Sequence, residues 1–441
     1  MTKPSGPAKP DDFTAEALAF ALRWWRENVR QISLRAAGEA LPMSHSHLSK
    51  LERNERSVPP DLIPQLDRLY GADGRIAAFY SMIKQIDRRD LGTLATVPSV
   101  PVEEDETERR RLLQIAAAGM SAGAFGGTDE PVRRLVELAV NGAHRSVEDW
   151  ELACADHLHA INTLPARQVH DDLLVDLLGI QQQLHNTPKA DQTELQRITA
   201  VLAAFHASVL TRLSERGAAL RWYQTARAAS DASGDLDLRI RIRAHEAGHS
   251  LYGLRDPKTV LRLTADVKQF LGPDPRPSVG LVSVLLAEAH ALALLGRGDE
   301  ARQAVRVSTD LAATNLPVIP GFWEPSDYRM YFNQSRVYSA VGDQKAASRA
   351  QEHILRGHPD GYQVQINTRL HAAQCTVVNG GIDEGVRQAA TVIDALPRAY
   401  RNVMIIETGR NVLRAVPFDQ RKRPAVSEFR EVLAIEAPQD V

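Results

Sequence analysis

A pattern of small residues recurs five times from Ala207 onwards and limits the fold more than any other feature of the sequence. In each copy a turn position follows the first small residue after seven positions, and a second small residue follows after twelve. The first small residues are Ala207, Gly248, Ala289, Ser335 and Ala373, the turn positions are Ser214, Arg255, Gly296, Gly342 and Gly380, and the second small residues are Ala219, Val260, Ala301, Ala347 and Gly385. Small side chains let two helices cross closely, so each copy predicts a pair of antiparallel helices.

The copies also resemble a known repeat. Segments such as AEAHALALLGRGDEARQAV and SRVYSAVGDQKAASRAQ are similar to tetratricopeptide (TPR) repeats, although the copies are 41, 41, 46 and 38 residues apart instead of about 34. The resemblance implies a right-handed α-solenoid with a concave inner surface. No stretch between residues 110 and 433 alternates with period two for long enough to be a strand. The sequence therefore predicts an all-α chain with a TPR-like sensor or dimerisation domain over residues 112–435.

The TPR resemblance further implies which side chains face the concave surface. They are the residue after each first small residue and the residue three positions before that small residue. Tyr252 lies one turn further along the same face. The candidate ligand-binding residues are His245, His249, Tyr252, His290, Phe332, Arg336 and Gln374. This set suits a signalling peptide or a small-molecule effector, and Arg336 can hold a carboxylate through two hydrogen bonds. Because the ordinary pKa of histidine is about 6.5, we expect the histidines to add positive charge as the pH falls.

One segment of the same region also fits a metal site. Residues 245–249, HEAGH, match H-E-x-x-H, in which two histidines on one helical face bind zinc in metalloproteases. A catalytic zinc site needs a third protein ligand, and His290 could supply it only if adjacent repeats bring it near. The segment equally fits the repeat, with Gly248 where the helices cross. A zinc metalloprotease is therefore the least favoured alternative, and we predict no enzyme, no metal and no cofactor.

The N-terminal segment contains five short helical patterns. They span about residues 15–27, 34–41, 45–54, 59–71 and 74–86. Ser33 and Ser44 are suited to cap the second and third patterns, and Pro59 and Pro60 to begin the fourth. Two helices joined by a tight turn, the second with a polar outer face, are typical of a helix-turn-helix. We predict a five-helix DNA-binding domain over residues 15–90.

Residues 32–70 resemble the lambda-repressor-like (Cro/CI, XRE-type) helix-turn-helix family. The resemblance rests on SHSHLSKLERN at residues 44–54, followed by Arg56, Pro59 and Leu66. The family usually has glycine at Asn54, and asparagine tolerates the same left-handed backbone conformation. Pro42 and Leu34 also depart from the family, which commonly has a turn glycine and a phosphate-contacting glutamine at these positions. The resemblance implies that Glu52 bridges to an arginine of the first helix, Arg26.

The third helical pattern is the predicted reading element. Leu48 and Leu51 face inward, which leaves the polar side chains near the helix start facing outward, where the motif enters the major groove. Lys50 can donate to guanine O6 and N7, whereas arginines near the motif would reach phosphates. The predicted DNA-binding residues are Ser33, Arg35, Ser44, His45, Ser46, Ser49, Lys50, Arg53 and Arg56. The predicted partner is a double-stranded DNA operator.

Charge and composition limit the remaining possibilities. The chain has a formal charge of −2, so contact with nucleic acid must be local instead of spread over a polycation. Its two cysteines, Cys154 and Cys375, cannot form a disulfide framework and indicate a reducing compartment. We predict a cytoplasmic protein without membrane contact. Residues 1–14 are expected to be a disordered tail, and residues 91–111, which lack a helical period, a linker.

These observations favour a bacterial transcriptional regulator. Its architecture resembles RRNPP-type regulators, in which a TPR array binds a signalling peptide and alters the DNA-binding state. One helix-turn-helix domain covers a single half-site, so the resemblance implies a homodimer. The chief alternative is a TPR scaffold or adaptor that the helix-turn-helix domain only tethers to DNA.

Overall fold

The structure, a computed structural model, describes residues 18–80 and 145–435, except for 20, 24, 42, 73–75, 78, 274, 315, 317–326 and 358–360. The chain divides between His144 and Arg145 into two units. Within the described ranges all regular structure is helical and no strand occurs, so the all-α prediction is confirmed. The predicted tail at residues 1–14 and the predicted linker at residues 91–111 lie outside the described residues.

The N-terminal unit contains a series of short helical segments. Residues 18, 19 and 21–23 are α-helical, and residues 76, 77, 79 and 80 are helical as well. Between them lie a π-helical turn at Trp25–Val29, α1 at Leu34–Ala40, α2 at His45–Glu52 and α3 at Ile63–Tyr70.

Two boundaries differ from the sequence prediction. Helix α2 ends at Glu52 because Asn54 adopts the left-handed conformation, with φ of 55°. The fourth pattern becomes helical only at Ile63, because residues 60–62 form a turn.

The core of this unit fixes the angle between α1 and α2. Leu48 and Leu51 are fully buried, as predicted, together with Leu66. Gly38 lies where α1 passes the start of α2, and a Cβ atom there would be 2.9 Å from the carbonyl oxygen of Met43 and 3.0 Å from the amide nitrogen of His45. Only glycine fits at this crossing, which therefore sets the close packing of the helix-turn-helix.

The second unit consists of α-helices joined by short connections. The helices are α4 Val147–Thr163, α5 Ala166–Asn186, α6 Thr193–Arg212, α7 Arg216–Ala232, α8 Leu236–Ser250, α9 Pro257–Leu271, α10 Val279–Leu294, α11 Gly298–Ala312, α12 Asp327–Ala340, α13 Gln344–Gly357, α14 Tyr362–Val378, α15 Ile382–Asp394, α16 Val403–Ala415 and α17 Pro424–Ile435. Short 3-10 turns lie at Lys189–Asp191, Arg398–Tyr400 and Phe418–Gln420. Among the helices described here and in the N-terminal unit, none is both long and apolar enough to cross a membrane.

Turns with a left-handed residue separate the helices of each successive pair. The residues with positive φ in these turns are Ser214, Gly253, Gly296, Gly342 and Gly380. Four of them are the predicted turn positions. Arg255, the fifth predicted turn position, lies in the connection between α8 and α9, where Gly253 is the left-handed residue.

Every second helix forms an inner layer of the solenoid. Along this layer α6 contacts α8, α8 contacts α10, and the series continues through α12 and α14 to α16. The layer also closes on itself, because α6 contacts α16 and α4 contacts α14. The helical unit is thus an α-solenoid in which helices from the two ends of the array surround a common interior.

Gly248 does not fill the predicted role of a crossing residue. Ala207, Ala289 and Ala373 are fully buried at equivalent positions in their helices. A Cβ atom at Gly248 would instead meet nothing within 4 Å, because this residue faces the interior cavity. The neighbouring Ala247 is buried instead, at 1% exposure.

Candidate functional site

Helix α2 presents a polar face in the N-terminal unit. Ser44 caps it, and the Ser44 hydroxyl oxygen accepts a hydrogen bond from the amide nitrogen of His47 at 3.2 Å. His45, Ser46 and Lys50 are exposed, and Ser49 is half-buried beside them. The structure thus brings the predicted base-reading side chains together on the first turns of one helix.

The remaining predicted DNA-binding residues surround this face. The Ser33 hydroxyl oxygen caps α1 and accepts a hydrogen bond from the amide nitrogen of Ala36 at 3.1 Å. Arg35, Arg53 and Arg56 are exposed. Arg35 lies 3.3 Å from Glu39, and Arg53 lies 3.3 Å from Glu55. Exposed pairs of this kind contribute at most about 1 kcal/mol, so phosphate groups can displace these carboxylates.

A buried ion pair holds α2 in place. Arg26 donates from Nε to Oε1 of Glu52 and from Nη2 to Oε2, both at 2.8 Å. The Tyr70 hydroxyl donates to the same carboxylate at 3.2 Å. The hydrogen bond to Glu52 raises the pKa of Arg26, and burial, followed by Glu52, raises the pKa of Tyr70. The predicted bridge between Glu52 and Arg26 is therefore confirmed. No sequence pattern indicated the role of Tyr70, since its contact with Glu52 depends on how α3 packs.

The helical unit encloses a cavity of about 220 Å³ in its interior. Side chains from α4, α6, α8, α10, α12, α14 and α16 line it. The apolar part is formed by residues such as Phe205, Leu286, Phe332 and Met404. Both ends of the solenoid contribute, because the inner layer closes on itself.

Five of the seven predicted ligand-binding residues line this cavity. They are His245, His249, Tyr252, Phe332 and Arg336. His290 and Gln374 do not line it: both are buried, and the pKa of His290 is lowered first by burial and then by the charges of Arg336 and His371. His290 thus belongs to a buried polar cluster of the solenoid wall.

Three further arginines, which the repeat pattern did not indicate, also line the cavity: Arg212, Arg241 and Arg329. Each lies three or four residues from a position that the repeat pattern assigns to the concave side. Residues spaced in this way share a helical face. Extending the predicted face by one turn would have found all three.

The cavity is lined by these arginines but by no acidic side chain of the described residues. No aspartate or glutamate lines it within the described chain. Arg241 pairs with Asp237 at 2.6 Å. Arg336 donates from Nη1 to the Tyr252 hydroxyl at 3.1 Å and from Nη2 to Asn333 Oδ1. Arg212 donates from Nη1 to the carbonyl oxygen of Ile161, and burial lowers its pKa.

The two cavity histidines remain neutral. The rings of His245 and His249 stack with centroids 3.9 Å apart, and Nδ1 of His249 lies 3.0 Å from the carbonyl oxygen of His245. Burial lowers the pKa of His249 to about 3, with a further contribution from nearby arginines, and burial lowers the pKa of His245 well below its ordinary value. The expectation that these histidines add charge at mildly acid pH is therefore wrong, because burial opposes protonation.

Glu246 of the H-E-x-x-H segment is held by two arginines. It is buried, with one carboxylate oxygen 2.8 Å from Nη2 of Arg255 and the other 3.3 Å from Nη1 of Arg227. Its carboxylate thus serves the packing of α8 against neighbouring segments. In the part of the chain that the structure describes, no group of three His, Cys, Asp or Glu side chains is placed to hold a metal.

Comparison with known proteins addresses the N-terminal unit. Residues 17–79 match the family model of a helix-turn-helix domain, and this range includes α1, α2 and α3. The chain has no significant match among curated proteins or solved structures.

Proposed function

We propose that the protein is a sequence-specific transcriptional regulator of the lambda-repressor-like type, whose helical unit senses an effector, forms a homodimer, or both. The helix-turn-helix domain supports a DNA-binding regulator in general. The observation that carries the specific proposal is the exposed face of α2, which the buried pair of Arg26 and Glu52 fixes from behind. We assign no catalytic residue and place the protein in the cytoplasm.

The geometry of α2 suits entry into the major groove. Lys50 donates to guanine, while His45, Ser46 and Ser49 contact other base edges. Ser33, Ser44, Arg35, Arg53 and Arg56 contact phosphates, which fix the register of the domain without reading sequence. A dimer then places two such helices on half-sites about one helical turn apart.

The cavity supports the sensing role. It is enclosed by helices from both ends of the solenoid, so that an occupant contacts segments far apart in the sequence. An effector regulates DNA binding only if its affinity differs between the DNA-competent and DNA-incompetent states. Contacts that join the two ends of the array provide such a difference.

Selection of bound DNA fragments by the full chain, with and without cell extract, tests the proposal. We expect one enriched sequence with two half-sites, and a change in operator affinity when extract is present. Recovery of random DNA only would contradict the proposal. Unchanged operator affinity together with a co-purifying protein would instead support the scaffold alternative.

The sensing and dimer parts have their own tests. We expect Arg336→Ala to lose the response of operator affinity to extract, whereas Arg262→Ala, which alters an exposed arginine of α9, keeps it.

Sedimentation of the full chain should show a dimer. A monomer that binds the operator tightly at physiological salt would remove the dimer from the proposal.

A further inference from the structure

Two arginines of the cavity are buried without a carboxylate partner. Arg212 is 7% exposed and Arg336 is 8% exposed. Each makes hydrogen bonds only to neutral oxygens, and within residues 145–435 as described neither forms an ion pair. The Nε–H group of each is also buried and lacks a hydrogen-bond acceptor among the described residues. The Arg336 guanidinium also lies 5.7 Å from the centre of the Phe332 ring and 6.0 Å from that of Tyr252. Each guanidinium therefore retains an unused Nε–H donor and a charge that no carboxylate neutralises.

A buried cation without a partner is strongly unfavourable. The effective desolvation penalty for one ion is several kcal/mol, and a nearby opposite charge offsets it. The chain itself supplies such a charge to Arg241, another arginine of the lining, which pairs with Asp237. The lining contains no carboxylate for Arg212 and Arg336, and it includes Arg329 as a further arginine. An anion from outside the chain would supply the missing charge.

The geometry of the guanidinium group indicates the kind of anion. Its planar set of donors matches a carboxylate through two parallel hydrogen bonds. Arg212, Arg336 and His249 line the same cavity. The pKa of His249 is lowered first by burial and further by the charges of these arginines and of Arg329. Neutral His245 and His249 add hydrogen-bonding groups beside them without adding charge.

The rest of the cavity is apolar and small. Phe205, Leu286, Phe332 and Met404 line it. Its volume of about 220 Å³ lies below the range of roughly 300–1,000 Å³ typical of pockets for drug-sized ligands. This volume matches a small acid with an apolar body better than a signalling peptide of several residues.

We propose that this cavity binds a small carboxylic acid, with its carboxylate between Arg212 and Arg336 and its apolar body against Phe205 and Phe332. The assignment gives the effector class for the proposed sensing function and rests on it only for the regulatory consequence. Arg212 also donates to the carbonyl of Ile161 in α4. A carboxylate on Arg212 therefore joins α4 and α6, at one end of the array, to α12.

Calorimetry and thermal unfolding of the full chain test the assignment with matched probes. The probes are benzoate, phenylacetate and hexanoate, each with its neutral amide, and acetate and inorganic phosphate as anions without an apolar body. We expect at least one of the larger carboxylates to bind one per chain and to raise the unfolding temperature, since a ligand specific for the folded state stabilises it. The amides, acetate and phosphate should bind at least about tenfold more weakly, because each lacks either the charge or the apolar body.

Two cavity variants locate the site. Arg212→Met and Arg336→Met should each weaken binding of the carboxylate by about 10- to 100-fold, the loss expected for charge-assisted hydrogen bonds. Arg262→Met changes an exposed arginine of α9 and should bind like the wild type. Equal binding of acids and amides, no binding of any of the larger carboxylates, or binding of a peptide in this cavity would overturn the assignment.

Measurements of operator affinity distinguish the proposed carboxylate site from the proposed regulation of DNA binding. A carboxylate that binds at the two arginines but leaves operator affinity unchanged keeps the site and removes sensing. An operator response to extract that persists in both arginine variants keeps sensing and removes this site.

Discussion

Buried arginines occur in both units of the protein, but their surroundings differ. In the N-terminal unit, Arg26 meets the carboxylate of Glu52 through two hydrogen bonds of 2.8 Å. In the helical unit, Arg212 and Arg336 are as deeply buried but meet only neutral oxygens of the described chain. The chain thus supplies a carboxylate partner for Arg26, whereas it supplies none for Arg212 and Arg336.

This difference separates a structural site from a ligand site. A buried ion pair that the chain completes fixes one arrangement of helices, as Arg26 and Glu52 do for the reading helix. A buried cation that the chain leaves unpaired makes the empty state less stable than it could be. Its presence indicates selection for something other than stability, and a bound anion accounts for it.

Lowering the pH should produce the largest difference in stability between the helical unit and the N-terminal unit. Five buried histidines of the helical unit have lowered pKa values: His206 and His249, each to about 3, and His245, His290 and His371. The unfolded chain binds protons at these residues below about pH 6.5, whereas the folded chain does not. The contribution of these neutral histidines to the free energy of unfolding is therefore fully present above pH 6.5. It is lost as the pH falls towards the pKa values of the folded state.

Urea unfolding at pH 7.0 and pH 5.5 measures this loss. We expect about 1 kcal/mol for each histidine and about 5 kcal/mol for the five together, because each contributes through the same linkage. His206→Gln should reduce the difference by about 1 kcal/mol, while His159→Gln, at an exposed position, should not change it. An unfolding free energy of the helical unit that is equal at both pH values would show that these histidines are not held neutral.

Removing one partner of the buried pair of Arg26 and Glu52 should have the next largest effect on stability. Glu52→Ala leaves Arg26 with only the exposed carboxylate of Glu27, which lies 3.0 Å from Nη2. Removal of one partner of a buried pair costs about 3–5 kcal/mol. We expect the N-terminal unit to unfold at lower urea concentration and operator binding to be lost. Glu55→Ala removes an exposed pair with Arg53 and should cost less than about 1 kcal/mol. Similar losses in the two variants would contradict the structural role of the pair.

The sequence predicted the N-terminal unit closely because its signals are local. Serines that cap helices, the inward leucines at positions 48 and 51, and the left-handed Asn54 depend on neighbours in the chain. The partner of Glu52 came from resemblance to a family. Tyr70 was missed because its contact with Glu52 depends on the packing of α3 against α2.

The helical unit was predicted less completely because its site depends on long-range closure. All five turns lie where the repeat pattern predicted them, four of them with the left-handed residue at the predicted position, and five of the seven proposed residues line the cavity. It could not show that α6 meets α16, and thus that Ile161 and Met404 line the same cavity. Burial also decides the charge of His245 and His249, and a repeat pattern does not measure burial.

Reading-helix variants should change binding without changing stability. His45→Ala and Lys50→Ala alter exposed side chains of α2, so that the fold is retained. Each should weaken operator binding by about 1–3 kcal/mol and binding to random DNA by much less, because only base contacts distinguish sequences. Titration of both DNAs at one salt concentration gives the comparison. Equal losses on the two would show that these residues contact the backbone only.

The smallest expected effect is the sharpest test of the contrast between the two units. Arg26→Met removes the partner of Glu52 and leaves that carboxylate buried, so it should cost about 3–5 kcal/mol. Arg336→Met removes a desolvated cation whose hydrogen bonds go to Tyr252 and Asn333, both neutral. Since the lost hydrogen bonds and the relieved desolvation oppose each other, we expect the free energy of unfolding of the ligand-free chain to change by less than about 1 kcal/mol. Urea unfolding at pH 7 measures both variants. A loss for Arg336→Met as large as that for Arg26→Met would mean that the chain itself completes the charge of Arg336, and the cavity would then not require an anion from outside.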